Sequence, residues 1–254
     1  MNEVIELLLK HRSIRKFTAD PVPVAAVETI IRAAQMASTS SNVQAYSVIS
    51  IQDPKLREQI MQLSGQQDYI TQCPVFLVWC ADLYRLSRAA DKYATCDGQG
   101  EKPPERYADT AEHLLVAAID TALAAQNAAV AAESMGYGIC YIGAVRNQIA
   151  QLSELLQLPK LVVPLFGMCI GVPDQAPLIR PRLPLEGILF TDRYQLERIE
   201  QGIERYDQVY SEYMSERSKG KVSTPWSLQM HKRLTEPIRL HMKPFLQDKG
   251  FMKR

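Results

Sequence analysis

The stretch DTAEHLLVAAIDTALAAQNAAVAAESMGYGICYIGAV, residues 109–145, decides the fold. Residues 109–136 are alanine-rich and apolar on nearly every side, which predicts a long helix deep in the core. Gly136 and Gly138 end that helix. The run GICYIGAV then follows as an apolar, partly β-branched segment, which is typical of a strand. The stretch therefore predicts a buried helix and a strand joined by a short turn.

More helices and strands are predicted on both sides of this stretch. Amphipathic spacing and start signals such as Asp53-Pro54 predict four further helices, at 2–11, 20–38, 53–65 and 147–159. Alternating or continuous apolar runs predict three further strands, at 46–53, 73–82 and 160–173. Helices mixed with four strands indicate the α+β class.

The chain organisation is predicted as one core domain, residues 1–190, followed by a helical extension, residues 191–254. Residues 91–107 are polar and contain two glycines and two prolines, so we expect a loop there. Residues 174–184 are proline-rich and irregular. The extension is polar and is split by SKGKVSTPW (218–226). It has too little apolar material for its own core, so we expect it to wrap a second subunit.

The bulk composition excludes several classes of protein. The 254 residues carry a formal net charge of +1, with 46% hydrophobic and 22% charged residues, which is ordinary for a soluble globular protein. Near-neutrality argues against a nucleic-acid-binding face. The acidic, amphipathic N-terminus does not resemble a signal peptide. No apolar run approaches 18 residues, so we expect no membrane span.

Cysteine and histidine usage argues for a reduced protein without a metal site. The five cysteines form no CxxC pair, which favours the cytoplasm. There is no HExxH motif, and the four histidines are far apart. The run GYGICYIG lacks the dinucleotide-binding pattern, because Tyr141 stands where a glycine is required.

Two basic clusters are candidates for an anion site. HRSIRKF (11–17) gathers His11, Arg12, Ser13 and Arg15, and a second cluster joins Arg180 and Arg182 through a proline. Arginine is suited to bidentate phosphate binding. The alternatives are a cationic helix end that complements the helix dipole in the first cluster, and solvated arginines in the second.

Hydroxyl and carboxylate groups offer weaker signals. The run STSSN (38–42) is interpreted either as turn chemistry or as the polar lining of a ligand pocket. Gln67 both donates and accepts hydrogen bonds, which suits the edge of a heterocycle. Glu112 opens the long helix, where an acidic residue commonly compensates the dipole.

The order of six motifs carries more information than any one of them. HRSIRKF, STSSNVQ, LREQIMQLSGQQ, AAQNAAVAAESMGYGICYIGAVRN, VPLFGMCIGVPD with PRLP, and YDQVYSEYMSER occur in one chain. In this order the sequence resembles the nitroreductase superfamily, in particular bacterial oxygen-insensitive NADPH nitroreductases and NADPH-dependent flavin reductases. The resemblance implies a mixed central sheet flanked by helices. It also implies a homodimer with FMN in two interface pockets, and a C-terminal extension that wraps the partner.

The resemblance also implies roles for individual residues. His11, Arg12, Ser13 and Arg15 match the motif that holds the FMN phosphate, ribityl chain and ring edge. Arg182 adds to the phosphate cradle, and Arg180 lies beside the flavin. The pocket-lining positions of the family match Thr39, Ser40, Ser41 and Gln67. Its acidic position near the flavin matches Glu112. Its strand-end loop, whose backbone meets the ring, matches Tyr141, Ile142, Gly143 and Ala144.

The expected nicotinamide site departs from the family pattern. Arg217 matches the first residue of a basic pair that binds the 2′-phosphate of NADPH. The second position falls near Val222, which cannot do so, and Lys219 and Lys221 are predicted to replace it. The alternative is a solvated basic loop. NADPH is therefore the expected reductant, and NADH is an alternative.

The implied activity is a ping-pong, two-electron reduction of nitroaromatics, quinones or similar flat acceptors by NADPH. The flavin carries the chemistry, so no protein nucleophile, acid or base is predicted. Three alternatives stay open. The first is a flavin reductase that supplies free reduced FMN, and the second is a non-catalytic flavin-binding redox module. The third is a phosphate-binding regulator without flavin.

Overall fold

The computed structural model describes residues 2–94 and 107–254. It divides into two compact units, the first formed by Met1–Ala176 with His241–Arg254 and the second by Pro177–Leu240. The last 14 residues of the predicted extension therefore pack with the first unit. The predicted functional division into 1–190 and 191–254 stays a prediction.

The first unit is built on a four-stranded sheet with the order β1-β2-β4-β3. Its strands are β1 Tyr46–Ser50, β2 Val75–Asp82, β3 Gly138–Ile142 and β4 Val162–Gly171. The four predicted strands and the α+β class are confirmed. The mixed sheet is a wrong expectation for the described chain, because all three strand pairings are antiparallel.

The described part of the chain contains ten α-helices, of which eight lie in the first unit and two in the second. They are α1 Glu3–Leu9, α2 Val24–Gln35, α3 Pro54–Leu63, α4 Tyr69–Gln72, α5 Tyr84–Ala94, α6 Ala111–Ser134, α7 Ile149–Leu155, α8 Leu196–Ser218, α9 Trp226–Thr235 and α10 Met242–Asp248. The start of α3 shows why the local sequence forms a helix. Asp53 accepts a hydrogen bond from the Lys55 backbone N–H at 2.9 Å, and Pro54 occupies the first turn, where its missing N–H costs nothing.

Strand β2 is buried on both faces, which explains its continuous apolar sequence. Leu77 and Trp79 pack with α2 and α6 on one side of the sheet. Phe76 and Val78 pack with α3, α4 and α7 on the other side. The first unit therefore has three layers, with the sheet between two layers of helices.

The predicted loop at 91–107 is only partly correct. Residues 91–94 form the end of α5, a helix that was not predicted. The polar run of the segment, residues 95–106, lies outside the described residues, as does Cys96.

Helix α6 is buried along one side only, which corrects the expectation of a helix deep in the core. Its alanine-rich side packs against α2 and the sheet. Leu115, Ile119 and Leu123 on another side are 57%, 55% and 46% exposed. By length and composition α6 is also long and apolar enough to cross a membrane, which the sequence reasoning overlooked. A partly buried core helix meets the same criterion.

The second unit pairs α8 with α9. Tyr206 and Tyr210 of α8 are buried, and the Tyr206 ring lies 5.6 Å from the ring of Trp226. Asp207 accepts a hydrogen bond from the Ser227 backbone N–H at 2.8 Å, which satisfies one of the free N–H groups at the start of α9. These contacts fix the segment between the two helices, residues 219–225.

Candidate functional site

The basic stretch 11–17 lies along strand β3, at one edge of the sheet. The Ile14 N–H donates to the Ile139 carbonyl at 2.9 Å, and Phe17 forms a bridge with Pro173. Gly138 permits this close approach, because a Cβ there would lie 2.5 Å from Ile14 Cγ1. The regular backbone of β3 therefore sets the position of the four candidate residues.

His11 is held by α6. Its Nδ1 lies 2.6 Å from Glu133 Oε1, and both side chains are largely buried. Helix α1 ends at Leu9, so residues 11–15 lie in an extended segment beyond the helix. The alternative of a cationic last helical turn is therefore wrong for Arg12 and Arg15.

Arg15 meets the residues that follow α3. Burial raises the pKa of Tyr69, and the neighbouring Arg15 guanidinium opposes part of that rise. The Tyr69 hydroxyl donates to Gln67 Oε1 at 2.5 Å. The structure thus brings the predicted residues Arg15 and Gln67 together through Tyr69, a residue that the sequence reasoning missed. Only its position two residues after Gln67 pointed to it.

The end of β3 offers its backbone rather than its side chains. Ile142 and Ala144 are buried with their side chains in the core, and Gly143 has none. Tyr141 lies on the α6 side, with its ring edge-on to Phe166 at 5.4 Å. Burial raises the pKa of Tyr141, with a smaller contribution from Glu133, so its phenol stays neutral.

We call these residues the β3-edge cluster. It comprises the segment that is hydrogen-bonded to β3, the residues joined to it through Tyr69, and the end of β3 itself; its members are His11, Arg12, Ser13, Arg15, Gln67, Tyr69 and Tyr141–Ala144. A guanidinium, a hydroxyl, an amide and free backbone at one edge can bind a phosphate and the polar rim of a flat ring.

The remaining hydroxyl candidates lie in the serine loop, which we define as residues 39–45. Ser40–Asn42 forms a 3₁₀ turn, and Ser40 and Ser41 are exposed. The buried Asp120 of α6 accepts hydrogen bonds from the Ser40 and Ala45 N–H groups, each at 3.0 Å. Sequence reasoning missed Asp120, although an acidic residue inside an alanine-rich helix was a visible signal.

Glu112 belongs with the serine loop rather than with the β3-edge cluster. It lines a cavity of about 420 Å³ together with Ser40 and Val43, and apolar side chains of α5 complete the wall. His113 lines the same cavity, and its Nδ1 lies 2.9 Å from the Thr110 hydroxyl.

The two sets are far apart within one chain. His11 contacts Glu133, whereas Ser40 contacts Asp120, and these two positions lie about 20 Å apart along α6 at 1.5 Å per residue. Glu112 lies about 30 Å from Glu133 by the same measure. A ligand pocket of about 300–1,000 Å³ is on the order of 10 Å across. The anchors of the two sets along α6 are therefore farther apart than the width of one such pocket.

The basic candidates of the second unit occupy two exposed segments. Tyr206 donates to the Pro181 carbonyl at 2.8 Å, which fixes the segment carrying Arg180 and Arg182. Arg217 lies in the last turn of α8, and Lys219 caps the helix in a left-handed conformation. Ser218 Oγ accepts from the Val222 N–H at 2.8 Å, so Lys221 lies in the same tight turn.

The cysteines in the described ranges are buried thiols. The four described cysteines form no disulfide bond; they are Cys73, Cys80, Cys140 and Cys169. Burial raises the pKa of Cys80 to about 12. A thiol of that pKa stays protonated and unreactive at neutral pH. Over residues 2–94 and 107–254, no group of three or more His, Cys, Asp or Glu residues could hold a metal ion.

Two family models match this chain. Residues 8–172 match the model described as "Nitroreductase family", and residues 180–254 match "Nitroreductase family, C-terminal domain". The first match contains both the β3-edge cluster and the serine loop. The second contains all five basic candidates of the second unit.

Individual proteins match over the full chain. The sequence is 40% identical over 255 residues to "FMN reductase (NADPH)" of Bacillus subtilis, covering 100% of both chains. It is 39% identical to "Oxygen-insensitive NADPH nitroreductase" of Salmonella typhimurium, again over 100% of both. Among solved structures, "NADPH:FMN oxidoreductase from Vibrio harveyi complexed with NAD+" matches with a TM-score of 0.84 and 39% identity, covering 100% of each chain.

Proposed function

Since this chain belongs to the nitroreductase family, we propose that it is an FMN-dependent oxidoreductase that uses NADPH. It reduces nitroaromatics, quinones or related flat acceptors by two electrons. Relatives of about 40% identity are named for flavin and nitro reduction. The observation that carries the proposal is the β3-edge cluster, because it gathers donors for an anion beside an open strand end.

The residues present fit FMN. The guanidinium of Arg15 and the hydroxyl of Ser13 suit its phosphate, and Gln67 can both donate to and accept from a ring edge. Because Ile142 and Ala144 turn their side chains into the core, the strand end presents peptide groups to a planar ligand. Arg12 is proposed to join this set, and Arg180 and Arg182 to add positive charge.

The chemistry that FMN supplies when bound is two-electron transfer between the nicotinamide and the acceptor. The protein therefore needs no nucleophile of its own. A fixed cation beside the ring stabilises negative charge that develops there. The backbone at 142–144 would orient the ring, and the buried side chains of Ile142 and Ala144 would exclude water from that side of the site.

The turn that follows α8 is proposed to select NADPH. Arg217, Lys219 and Lys221 are exposed within five positions of one another, and the left-handed cap at Lys219 tightens the turn that carries them. Three cations in such a turn suit the 2′-phosphate that distinguishes NADPH from NADH.

A homodimer is proposed because the candidate residues form two separate sets. The β3-edge cluster and the serine loop are tied to α6 at Glu133 and Asp120, which are too far apart for one pocket. If both bind the same flavin, the serine loop comes from a second copy. The predicted wrapping of the partner by the C-terminal extension belongs to this proposal.

The exposed side of α6 supports a two-fold arrangement. Leu115, Ile119 and Leu123 recur every four residues and are about half exposed, which forms a continuous apolar ridge. Leu123 stands midway between Glu112 and Glu133 in the sequence. Two α6 helices packed antiparallel around a two-fold axis near Leu123 would bring Glu112 of one copy beside the His11 region of the other.

Free FMN as the acceptor is a second candidate function. A relative of 40% identity is named "FMN reductase (NADPH)". Saturable NADPH oxidation by added FMN, together with exchange of the bound flavin, would favour it over a bound cofactor alone. A cytoplasmic location is proposed with either function, because the described cysteines are reduced thiols.

The test of the proposed function is an anaerobic titration of the purified protein with NADPH, in which the absorbance of the flavin is monitored. We expect yellow protein that bleaches with about one equivalent of NADPH and recovers its colour when a quinone or nitroaromatic is added. Colourless protein that neither binds added FMN nor oxidises NADPH would rule the function out. Photoreduced protein that ignores every nicotinamide would favour a non-catalytic flavin module.

A further inference from the structure

Helix α6 carries one buried charged residue that the function described so far does not use. Asp120 has no exposed surface, and its neighbours on the same side of the helix are alanines. A buried carboxylate is costly unless its oxygens are hydrogen-bonded. Its presence in an alanine-rich face therefore indicates a specific task.

Both carboxylate oxygens of Asp120 are used by the serine loop. Oδ1 accepts from the Ser40 N–H and Oδ2 from the Ala45 N–H, each at 3.0 Å. The two bonds hold the beginning and the end of the loop to one rigid side chain. Hydrogen bonds to an ionised acceptor are stronger than neutral ones, so this contact is the main tie between α6 and the loop backbone.

The loop contains left-handed backbone, which serine and glutamine adopt rarely and asparagine adopts more readily. Ser41, Asn42 and Gln44 have φ angles of 46°, 58° and 51°, and none of them is glycine. Left-handed backbone at non-glycine residues persists where the surrounding structure holds it. Within the loop, the Gln44 N–H donates to the Thr39 hydroxyl at 3.3 Å, and the Gln44 side-chain amide donates to Asn42 Oδ1 at 3.1 Å, but these bonds join loop residues only to one another.

We propose that Asp120 is a positioning residue that holds the serine loop in the strained conformation presenting Ser40 and Ser41 to FMN. The inference rests on the proposed function, because it takes the serine loop as part of the flavin site. Ser40 and Ser41 are exposed, so the loop is tied through its backbone while its hydroxyls stay available. Asp120 acts through the loop and does not touch the flavin.

The side chain must be a carboxylate for this role. Asparagine has the same size but only one acceptor oxygen, and its NH₂ group would face the second N–H as donor against donor. We therefore expect Asp120→Asn to weaken FMN binding by about tenfold or more, from the loss of hydrogen bonds to a charged group. Asp120→Ser is the second variant, because a smaller hydroxyl leaves room for a water to accept one of the two N–H groups.

The matched control is Thr121→Val. Thr121 is the next residue of α6, is equally buried, and donates to the Ala117 carbonyl at 2.6 Å without contacting the loop. Flavin fluorescence quenching gives the Kd for FMN of each apoprotein, and hydrogen exchange of the apoproteins reports the amides of Ser40 and Ala45. We expect faster exchange and weaker FMN binding for both Asp120 variants, and neither effect for Thr121→Val.

A double-mutant comparison separates this inference from the proposed function. The Ser40→Ala/Ser41→Ala protein should bind FMN more weakly, and adding Asp120→Asn to it should cost less than in the wild type. If the Ser40→Ala/Ser41→Ala protein has the wild-type Kd for FMN, the proposed contact between the serine loop and FMN is wrong. A serine effect with an unchanged Kd in both Asp120 variants, or an Asp120→Asn effect that is equal in both backgrounds, would overturn the role of Asp120.

Discussion

The β3-edge cluster and the serine loop are candidates for the same ligand, but they are supported in different ways. The cluster lies along a regular strand, where Ile14 pairs with Ile139 and glycine at 138 allows close contact. The loop has three left-handed non-glycine residues and depends on one buried carboxylate. The segment that carries the cluster is held to β3 through its backbone, whereas the loop is held by one side chain, that of Asp120.

Substitutions in the two halves of the proposed site should therefore have different effects. We expect a substitution in the cluster to remove a proposed contact with the ligand and to leave the backbone in place. A substitution that affects the loop support changes the geometry of a whole segment. The two halves also lie at different points along α6, so the account predicts that only a pair of chains makes one complete site.

The largest effect is expected from a substitution that disrupts the proposed contact between two copies of the chain. Ile119 is 55% exposed on the ridge of α6, and Ile119→Asp would bury an uncompensated charge between two copies. Such burial costs several kcal/mol, so we expect monomers by analytical ultracentrifugation and a loss of FMN affinity of about a hundredfold or more.

Ile119→Val is the matched control for this experiment, because it keeps the ridge apolar. It should remain dimeric with its flavin bound. An Ile119→Asp protein that stays dimeric and retains FMN would show that the ridge is not the interface.

The next effect addresses the β3-edge cluster directly. Arg15→Ala removes charge-assisted hydrogen bonds to the phosphate or ring, which are worth about 1.5–3 kcal/mol. The Kd for FMN should therefore rise by about 10- to 150-fold. Lys16→Ala is the control, since Lys16 is an exposed neighbour of equal charge. Equal affinity of the Arg15→Ala and wild-type proteins would remove Arg15 from the site.

A more selective effect is expected from the second unit. Arg217→Ala should raise the KM for NADPH by about tenfold and leave the KM for NADH nearly unchanged, because only NADPH has the 2′-phosphate. Arg198→Ala, at the other end of α8, is the control. If Arg217→Ala raises both constants equally, the turn after α8 does not read the 2′-phosphate.

The smallest effect concerns the internal support of the cluster. The Tyr69 hydroxyl donates to Gln67 at 2.5 Å, so Tyr69→Phe should weaken FMN binding by about two- to tenfold, as expected for one neutral hydrogen bond. If Tyr69→Phe binds FMN with wild-type affinity, Tyr69 is not needed to orient Gln67.

Tyr69 also predicts a pH dependence of stability. Burial raises its pKa in the folded protein, whereas an unfolded tyrosine ionises near pH 10. This difference in pKa contributes to the free energy of unfolding in full below about pH 10. The contribution is lost as the pH rises through the pKa of Tyr69 in the folded protein. Urea unfolding from about pH 8 to 11 should therefore show a shallower alkaline loss in the free energy of unfolding for Tyr69→Phe. An unchanged slope would contradict this assignment.

Much of the fold could be predicted from local sequence. Strand β2 is buried on both faces and so has a continuous apolar run, and α3 has its start signals at Asp53 and Pro54. The family resemblance is confirmed by full-length relatives. The burial of α6 was overestimated, because Leu115, Ile119 and Leu123 form an apolar side that is about half exposed.

The candidate site was less predictable, because its support comes from distant contacts. The type of residue at positions 11–15 indicated anion binding, but the contact of His11 with Glu133 joins positions 122 residues apart. The role of Asp120 depends on a loop 75–80 positions earlier. Tyr69 lay between a predicted helix and a predicted strand, and only the folded chain places it beside Arg15.

One measurement tests the central claim, that each flavin site combines the β3-edge cluster of one chain with the serine loop of another. Arg15→Ala protein and Ser40→Ala/Ser41→Ala protein are unfolded together, refolded and purified as the mixed dimer by two different affinity tags. In the mixed dimer, one site joins an intact cluster to an intact loop, so we expect half of the wild-type FMN sites to bind at wild-type affinity. Two sites that are both as weak as in the parent variants would contradict the account.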